Sequence, residues 1–469
     1  WSRGLGDVYK RQGELIESGY TSRTVKEEIR SNLVRRISDG SEVFPGIVGF
    51  DDSVIPQIQN AILAGQDIIL LGERGQAKSR IIRLLVDLLD EYIPFVKGSE
   101  INDDPLDPIS QYGIEALSAD KKNTKIDWLP KEDRYAEKLA TPDVSVADLI
   151  GEIDPIKVAE GRYLSDTMAI HYGMIPRTNR GLFCINELPD LTERIQVSLF
   201  NLMQERDIQI KGHQVRLPLD MIIVATANPE DYTNRGRIIT PLKDRYGAQI
   251  RTHYPSDVSQ EMNIVTQEYK KFSDSAELVK TPEFMKEIIG EITHLARRSP
   301  EINQRSGVSL RVSISNFETL IGQAFRRSLA NNSISSPRIS DLPYLIASTI
   351  GKIELETVEE GLETKIISDI VDRAVLNVFT NHTEADEFDF VLNQFEEGIV
   401  IQAGSTIDDD KYISLIDRFE NLKGKLSVLC DPIEDDSAII SAFEFVLEGL
   451  YLSKKISKKT EDRTAEYAI

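Results

Sequence analysis

Residues 67–80, with the sequence DIILLGERGQAKSR, combine an apolar run with residue types suited to phosphate binding. Gly72, Lys78 and Ser79 fit the pattern G-x-x-x-x-G-K-[ST], with Ala77 in the position of the second glycine. In such a turn the backbone N–H groups converge on a phosphate, the lysine reaches the terminal phosphates and the hydroxyl ligates Mg²⁺. The alternative, a turn that binds nothing, does not explain the lysine and serine in register. The residues predicted to bind the nucleotide are Gly72, Glu73, Arg74, Gly75, Gln76, Ala77, Lys78 and Ser79.

Three further polar residues follow apolar runs of the sequence. Glu187 follows the run 181–185, and a carboxylate at the end of such a strand can polarise the water that attacks a phosphate. Asn186 stands where an aspartate usually helps to hold Mg²⁺, and its neutral amide can orient a metal-bound water without adding charge. Asn228 follows the run 221–227 and is expected to hold the attacking water or contact the terminal phosphate. The alternatives are a polar strand end and an Asn-Pro turn.

The elements that carry these residues alternate between buried strands and helices, which predicts an α/β fold with a parallel sheet. Further strands are expected at 93–97 and 249–253, and a β-hairpin at 207–217. The polar stretch 98–141 contains the carboxylates of NDDPLDP, which could suggest a metal site. Its prolines favour a turn-rich surface insertion instead.

Changes in composition and periodicity divide the chain into five stretches. The first resembles a translated sequencing linker, so it is excluded from fold reasoning and the natural N-terminus is expected to be missing. The predicted stretches are the linker-like segment 1–12, an N-terminal helix within 13–43, an α/β nucleotide-binding domain at 44–255, a helical domain at 256–380 and an acidic, mostly helical C-terminal region at 381–469.

Charge and composition limit the classes of partner. A formal net charge of −22 argues against a general nucleic-acid-binding surface, which needs a basic footprint. Residues 381–469 hold 20 Asp and Glu against 9 Lys and Arg, a net charge of −11. This acidic excess is expected either to keep the region solvated or to dock a basic partner. No apolar stretch approaches a membrane span or a signal peptide, so a cytoplasmic protein is expected. Cys184 and Cys430 give neither a disulfide framework nor metal-ligand spacing.

Together these features resemble an AAA+ ATPase of the clade that holds the magnesium chelatase ATPase subunit and the MoxR-type ATPases, over about residues 44–353. The segment 72–79 looks like the Walker A motif of this clade, in which alanine before the lysine is familiar from MoxR members. Asn186 and Glu187 occupy the Walker B position, and Asn228 matches sensor 1. The resemblance implies a P-loop NTPase core with a helical lid, and it implies ATP and Mg²⁺ as ligands.

The resemblance also implies an active site shared between subunits. The sequence LKDRYG at 242–247 looks like the segment whose arginine, here Arg245, enters the neighbouring subunit's site. SLR at 309–311 is similar to sensor 2, with Arg311 contacting the nucleotide from the lid. The hairpin 207–217 resembles the pre-sensor hairpin, and 142–179 the helix insertion of the clade. Arg235 and Arg237 are rival or auxiliary candidates for the role of Arg245, and surface solubility is the alternative for both.

Three functions follow from these expectations. The leading hypothesis is an ATP-driven remodelling motor that forms a homo-oligomeric ring, a hexamer by resemblance, and acts on a partner with a von Willebrand factor A domain. The second is a magnesium chelatase motor for Mg²⁺ insertion into a porphyrin. The third, motivated by Asn186, is a nucleotide-gated binding scaffold with little turnover. A sigma-factor-remodelling activator is disfavoured, because the sequence lacks the GAFTGA loop and a DNA-binding helix-turn-helix.

Overall fold

The computed structural model describes residues 9–153, 170–205, 207–210, 213–228, 237–270, 272–304, 306–356, 361–384, 386–433, 435–461 and 464–469. The chain divides into two compact units, Trp1–His253 and Tyr254–Ile469. The first unit carries the phosphate-loop motif, and the second carries the helical stretches that follow it. None of the described helices combines the length and the apolar composition needed to cross a membrane.

The first unit is built on a parallel sheet, which confirms the predicted α/β fold. Its strands are β1 (Ile68–Leu71), β2 (Tyr92–Val96), β3 (Ile126–Pro130), β4 (Tyr135–Leu139), β5 (Gly151–Ile153), β6 (Ile170–Tyr172), β7 (Gly181–Asn186), β8 (Asp207–Ile210), β9 (His213–Arg216), β10 (Met221–Ala227) and β11 (Ala248–Arg251). Five of them form the sheet in the order β11-β1-β10-β7-β4, with all neighbours parallel. The pairs β2/β3, β5/β6 and β8/β9 are antiparallel and separate.

Helices cover both faces of this sheet because its central strands are apolar on both sides. Ile69 and Phe183 face a core that includes α8, whereas Leu70 and Cys184 face a core that includes α2, α3 and α4. The carboxyl ends of β1, β7 and β10 therefore meet at one edge of the sheet. The helices are α1 (Gln12–Glu17), α2 (Val25–Ser38), α3 (Val54–Leu63), α4 (Lys78–Leu84), α5 (Gln111–Asp120), α6 (Val146–Leu149), α7 (Met174–Arg177), α8 (Glu193–Glu205) and α9 (Thr240–Arg245).

The stretch 98–141 is not a mere surface insertion, and that prediction was wrong. Its last part is β4, the edge strand of the main sheet, which pairs Tyr135 with Leu182 and Leu139 with Asn186. The error has a physical reason, since an edge strand is half-exposed and carries charged residues. A strand of this kind looks polar in the sequence.

The carboxylates at the head of this stretch build a turn and not a metal site. Asp103 is fully buried, and its carboxylate accepts hydrogen bonds from Ser99 Oγ at 2.6 Å, Ile109 N at 2.7 Å and Ser110 N at 2.8 Å. Among the described residues no group of three or more His, Cys, Asp or Glu could hold a metal ion. The predicted turn is present, although it lies inside the unit and not on its surface.

The N-terminal helices belong to the first unit. Thr24 caps α2, and its side chain accepts a hydrogen bond from Glu27 N. Glu28 on α2 forms a buried bidentate ion pair with Arg134, with both N–O distances at 2.7 Å. The segment 1–12, predicted to be linker-like, is described only from residue 9, where Lys10 O accepts a hydrogen bond from Ile126 N at 3.0 Å.

The second unit is a helical body with a small sheet. The sheet is antiparallel, in the order β12-β14-β13, and the C-terminal pattern did not predict it. Its elements are α10 (Val258–Glu268), α11 (Ser273–Leu278), α12 (Glu283–Ala296), α13 (Arg311–Asn331), α14 (Leu345–Thr349), α15 (Leu362–His382), α16 (Asp389–Glu396), β12 (Ile401–Gly404), α17 (Asp409–Ile416), α18 (Leu422–Cys430), α19 (Asp436–Leu452), β13 (Ser457–Glu461) and β14 (Thr464–Ala468).

One hydrophobic core joins the predicted helical domain 256–380 to the acidic region 381–469. The Phe445 ring on α19 stacks on Phe284 of α12 with centroids 4.5 Å apart, and it meets Phe379 of α15 edge-on at 5.7 Å. The apolar residues of α19, in the acidic region, thus complete the core of the preceding helices.

Candidate functional site

The phosphate-loop motif has the backbone that its residue types predict. β1 ends at Leu71, the loop follows, and α4 begins at Lys78. Gly75 has φ +79° and Ala77 has φ +54°, both in the left-handed region. Gly72 has no room for a side chain, because a Cβ there would overlap the Thr252 hydroxyl and the Gln76 side chain.

Gln76 fastens this loop to the end of β11, a role that the sequence did not reveal. Its buried Oε1 accepts hydrogen bonds from Thr252 Oγ1 at 2.6 Å and from Glu73 N at 3.1 Å. Thr252 N in turn donates to Leu71 O at 2.8 Å. These bonds hold the loop in its curved form, so the phosphate-binding geometry is built into the fold.

Ala77 is the one departure of the loop from the glycine pattern, and it carries strain. A non-glycine residue in the left-handed region costs about 1–2 kcal/mol. We expect Ala77→Gly to stabilise the first unit by about 0.5–1 kcal/mol, since the relief of strain exceeds the added entropy of the unfolded chain. Urea unfolding followed by circular dichroism measures the change. Ala64→Gly is the matched control, because Ala64 has φ −86° and glycine there only destabilises.

The Lys78 amine lies at the centre of the site. The side chain is buried, and Nζ donates to Glu73 O at 2.7 Å, to Asn228 Oδ1 at 2.9 Å and to Gly72 O. The amine is thus held at the mouth of the loop, between the loop backbone and the end of β10. A cation fixed there is suited to contact the terminal phosphates of a nucleotide.

Asn228 connects this lysine to the predicted catalytic carboxylate. Its Oδ1 accepts from Lys78, and its Nδ2 donates to Glu187 Oε2 at 2.8 Å. Because an ammonium only donates and a carboxylate only accepts, the two partners fix the orientation of the amide. The structure therefore brings together Lys78, Asn228 and Glu187, which lie far apart in the sequence.

Glu187 itself is held in an unusual backbone conformation. Its φ is +55°, a left-handed value that costs a non-glycine residue about 1–3 kcal/mol. The Glu187 N–H donates to Thr226 Oγ1 at 3.0 Å, which anchors the turn to the neighbouring strand. Strain of this kind at the end of a core strand is typical of a functional position.

Asn186 has a partner that the sequence analysis missed. Its Nδ2 donates to the Glu137 carboxylate on β4, and Glu137 also accepts from Arg83 on α4 at 3.0 and 3.2 Å and from Tyr135 Oη at 2.9 Å. Burial raises the pKa of the Glu137 carboxyl, but the bonds from Arg83 and Tyr135 outweigh burial and hold its pKa below the usual range. Burial raises the pKa of the adjacent Cys184 thiol to about 12, so the thiol stays protonated.

Arg245 lies on the surface at the end of α9. Leu242 and Tyr246 are 0% and 3% exposed and anchor this helix in the core, which leaves the Arg245 side chain exposed. Its Nε and Nη2 donate to Gln204 Oε1 at 3.1 and 2.5 Å, and the guanidinium carbon lies 5.5 Å from the centre of the Phe200 ring. The guanidinium is thus held by α8 of its own subunit.

The remaining predicted residues are arginines and the hairpin. Arg311 is the exposed first residue of α13, in the second unit, where its N–H donates to Ser309 Oγ at 3.2 Å. Arg237 is exposed, and Arg235 lies outside the described residues. The hairpin predicted at 207–217 is present as β8 and β9.

The described residues fit a magnesium nucleotide. The loop leaves no space at Gly72 for a side chain, and the buried Lys78 amine, the Asn228 amide and the Glu187 carboxylate converge beside it. Ser79 follows Lys78 in the first turn of α4, where a hydroxyl can ligate Mg²⁺. Asn186 offers an amide oxygen nearby, as part of the edge formed by β7 and β10.

Comparison with known proteins gives similarity to magnesium chelatase subunits. The ChlI subunit of Nostoc sp. is 27% identical over 231 residues, which cover 48% of this chain and 58% of that protein. The ChlI subunit of Mesostigma viride is 27% identical over 232 residues, 48% of this chain and 61% of that protein. The chain spans about three fifths of the length of these relatives. The family model of the Sigma-54 interaction domain matches residues 159–243.

Comparison with solved structures gives matches with TM-scores below 0.5. The BchI–BchD complex of magnesium chelatase, from a cryo-EM reconstruction, has 19% identity and a TM-score of 0.36, covering 69% of this chain and 98% of that chain. NtrX from Brucella abortus in complex with ATP has 14% identity and a TM-score of 0.40, covering 79% of this chain and 72% of that chain. By its sequence, about half of this chain is similar to the magnesium chelatase ChlI subunits.

Proposed function

We propose that the chain is an ATP-hydrolysing motor that works as a ring. The observation that carries the proposal is the hydrogen-bonded series from Lys78 through Asn228 to Glu187. It sets a cation for the phosphates, an amide for the attacking water and a carboxylate to polarise that water within one site. Mg²⁺ bound with the nucleotide would neutralise phosphate charge, and Ser79 and Asn186 are the residues that would hold it.

Each of these residues has a separable task. Lys78 would hold the terminal phosphates, while Asn228 would keep the water in line and keep Glu187 pointed at it. Glu187 would take the proton of the water as the new P–O bond forms and the bond from the terminal phosphorus to the ADP oxygen breaks. The loop fastened by Gln76 would position the substrate before any of these steps.

The ring follows from Arg245. Its guanidinium is exposed and held by Gln204 and Phe200. A cation presented in this way can complete the site of a neighbouring subunit and stabilise the charge that develops on the phosphate. In a homo-oligomeric ring, hexameric by resemblance, the Arg245 of each subunit would complete the site of one neighbouring subunit.

The remodelled partner is proposed from the resemblance alone. We infer a protein with a von Willebrand factor A domain as the partner. A magnesium chelatase motor is the alternative, favoured by the similarity to ChlI subunits. Adding the large catalytic chelatase subunit and porphyrin separates these, since only a chelatase motor would support Mg²⁺ insertion. A nucleotide-gated scaffold is favoured by the neutral Asn186, and rapid phosphate release would exclude it.

The dependence of ATP hydrolysis on protein concentration tests the ring. We expect the rate per subunit to rise with concentration until assembly is complete, because each site needs an arginine from its neighbour. Phosphate release and sedimentation velocity, measured on the same samples, should change together. A constant rate per subunit from dilute monomer to assembled protein would refute a shared active site.

A further inference from the structure

The predicted magnesium site has a neutral amide, Asn186, at the end of β7. A nucleotide-bound Mg²⁺ is usually held beside a carboxylate at the end of the strand that here ends in Asn186, and an amide supplies no charge. A carboxylate does lie next to this position, on the neighbouring strand. Glu137 of β4 accepts a hydrogen bond from the Asn186 amide.

The register of the sheet places these two side chains on one face. Glu137 lies opposite Cys184, and Asn186 is two residues further along β7, so Glu137 and Asn186 project to the same side. That side is covered by α4, because Cys184 packs in the core that contains Ile81 of α4. Glu137 therefore lies between the sheet and the helix that begins at the phosphate loop.

Arg83 of α4 contacts Glu137, and it lies one helical turn after Ser79, the predicted metal ligand on this helix. Arg83 donates to Glu137 at 3.0 and 3.2 Å, and Arg83 is four residues after Ser79, so both lie on the same face of α4. The Arg83 side chain is 64% exposed, whereas that of Glu137 is 19% exposed. Water therefore screens the charge of the guanidinium more than that of the carboxylate.

The carboxylate also fixes the Asn186 amide. Because an ionised carboxylate only accepts, Nδ2 must face Glu137, and Oδ1 then faces Thr226, whose hydroxyl donates to it at 3.3 Å. Thr226 Oγ1 also accepts a hydrogen bond from Glu187 N–H, so the same hydroxyl contacts both the Asn186 amide and the turn at Glu187. An aspartate at position 186 would place two carboxylates against each other and lose the hydrogen bond.

We propose that Asn186 and Glu137 are an exchanged acid–amide pair, in which Glu137 on β4 supplies the negative charge of the magnesium site and positions the Asn186 amide. This inference rests on the proposed nucleotide site. Glu137 is a positioning residue, and it acts on Mg²⁺ through Asn186. The amide at position 186 is then no defect of the site but one half of a pair whose members can be replaced only together.

A double-mutant cycle tests the exchange. The variants are Asn186→Asp, Glu137→Gln and both together, with Glu132→Gln as the control, since Glu132 is exposed on the turn before β4. The measured quantity is the dissociation constant of a non-hydrolysable ATP analogue in EDTA, divided by its dissociation constant in Mg²⁺. A lower ratio means that Mg²⁺ strengthens binding less. The melting temperature without ligand is measured in parallel.

We expect each single variant to lower this ratio by about tenfold and the double variant to restore it, as expected for coupled neighbours. In the double variant the new amide on β4 would donate to the new carboxylate at the end of β7, so charge and hydrogen bond are both regained. Asn186→Asp alone is also expected to lower the melting temperature, because two carboxylates face each other.

Two results would overturn the exchange. One is a ratio for Asn186→Asp alone that equals that of the double variant, and the other is an effect of Glu137→Gln no larger than that of Glu132→Gln. Failure of the proposed function has a different signature, in which wild type and Lys78→Ala bind the analogue equally weakly. The exchange falls with the nucleotide site in that case.

Discussion

Arg245→Ala is expected to lower the rate of ATP hydrolysis by about 10³- to 10⁵-fold and to leave nucleotide affinity unchanged. The guanidinium is exposed and held by Gln204 and Phe200 on α8, so its own loop does not lose a contact when it is removed. What is lost is the charge that it would bring to the phosphate in the neighbouring subunit. Single-turnover phosphate release and binding of a fluorescent ATP analogue separate the two effects.

Mixing two inactive variants provides the sharper form of this experiment. Lys78→Ala removes the cation of the phosphate loop, and Arg245→Ala removes the arginine proposed to act in the neighbouring subunit. A mixed ring contains some interfaces at which an intact loop faces an intact arginine, so activity should return on mixing. If the mixture stays inactive although mixed rings form, Arg245 does not act between subunits. Arg237→Ala is the comparison, because Arg237 is the exposed rival on the same segment.

The phosphate loop could be predicted because its information is local. Within eight residues, 72–79, the sequence contains the turn, the cation and the hydroxyl, and the structure adds the reason why Gly72 is required and how Gln76 holds the loop. The strand ends at Asn186 and Asn228 were predictable in the same way, since a buried apolar run ends abruptly at each. Parallel strands then bring such ends to one edge of the sheet.

The partners of these residues could not be predicted, because they depend on the order of the strands. Glu137 meets Asn186 only because β4 pairs with β7, and this strand is short, half-exposed and charged. Gln76 meets Thr252 only because β11 lies beside β1.

The contacts of Asn228 show how much of a predicted residue's surroundings the sequence leaves unknown. The sequence indicated a polar residue at a strand end, suited to the attacking water. The structure shows that its amide is bound on both sides, by the Lys78 amine at 2.9 Å and the Glu187 carboxylate at 2.8 Å. Movement of Lys78 towards a phosphate would therefore release one bond to Asn228, which couples occupancy of the loop to the freedom of Glu187.

Glu187→Gln is expected to lower ATP hydrolysis by about 10²- to 10⁴-fold while nucleotide binding and ring assembly persist. The glutamine oxygen can still accept from Asn228 Nδ2, so the hydrogen-bonded series stays intact and only the base is lost. Glu193→Gln, at the exposed start of α8, controls for the change of charge. Phosphate release measures the rate, and sedimentation velocity with ATP measures assembly.

The size of this loss also decides between motor and scaffold. In a motor the carboxylate accelerates every turnover, so wild type and Glu187→Gln must differ by orders of magnitude. In a scaffold the neutral Asn186 would already have made turnover slow, and removal of the base would change little. A wild-type rate within a few-fold of Glu187→Gln would therefore contradict the motor, even if the ring assembles and the loop binds nucleotide.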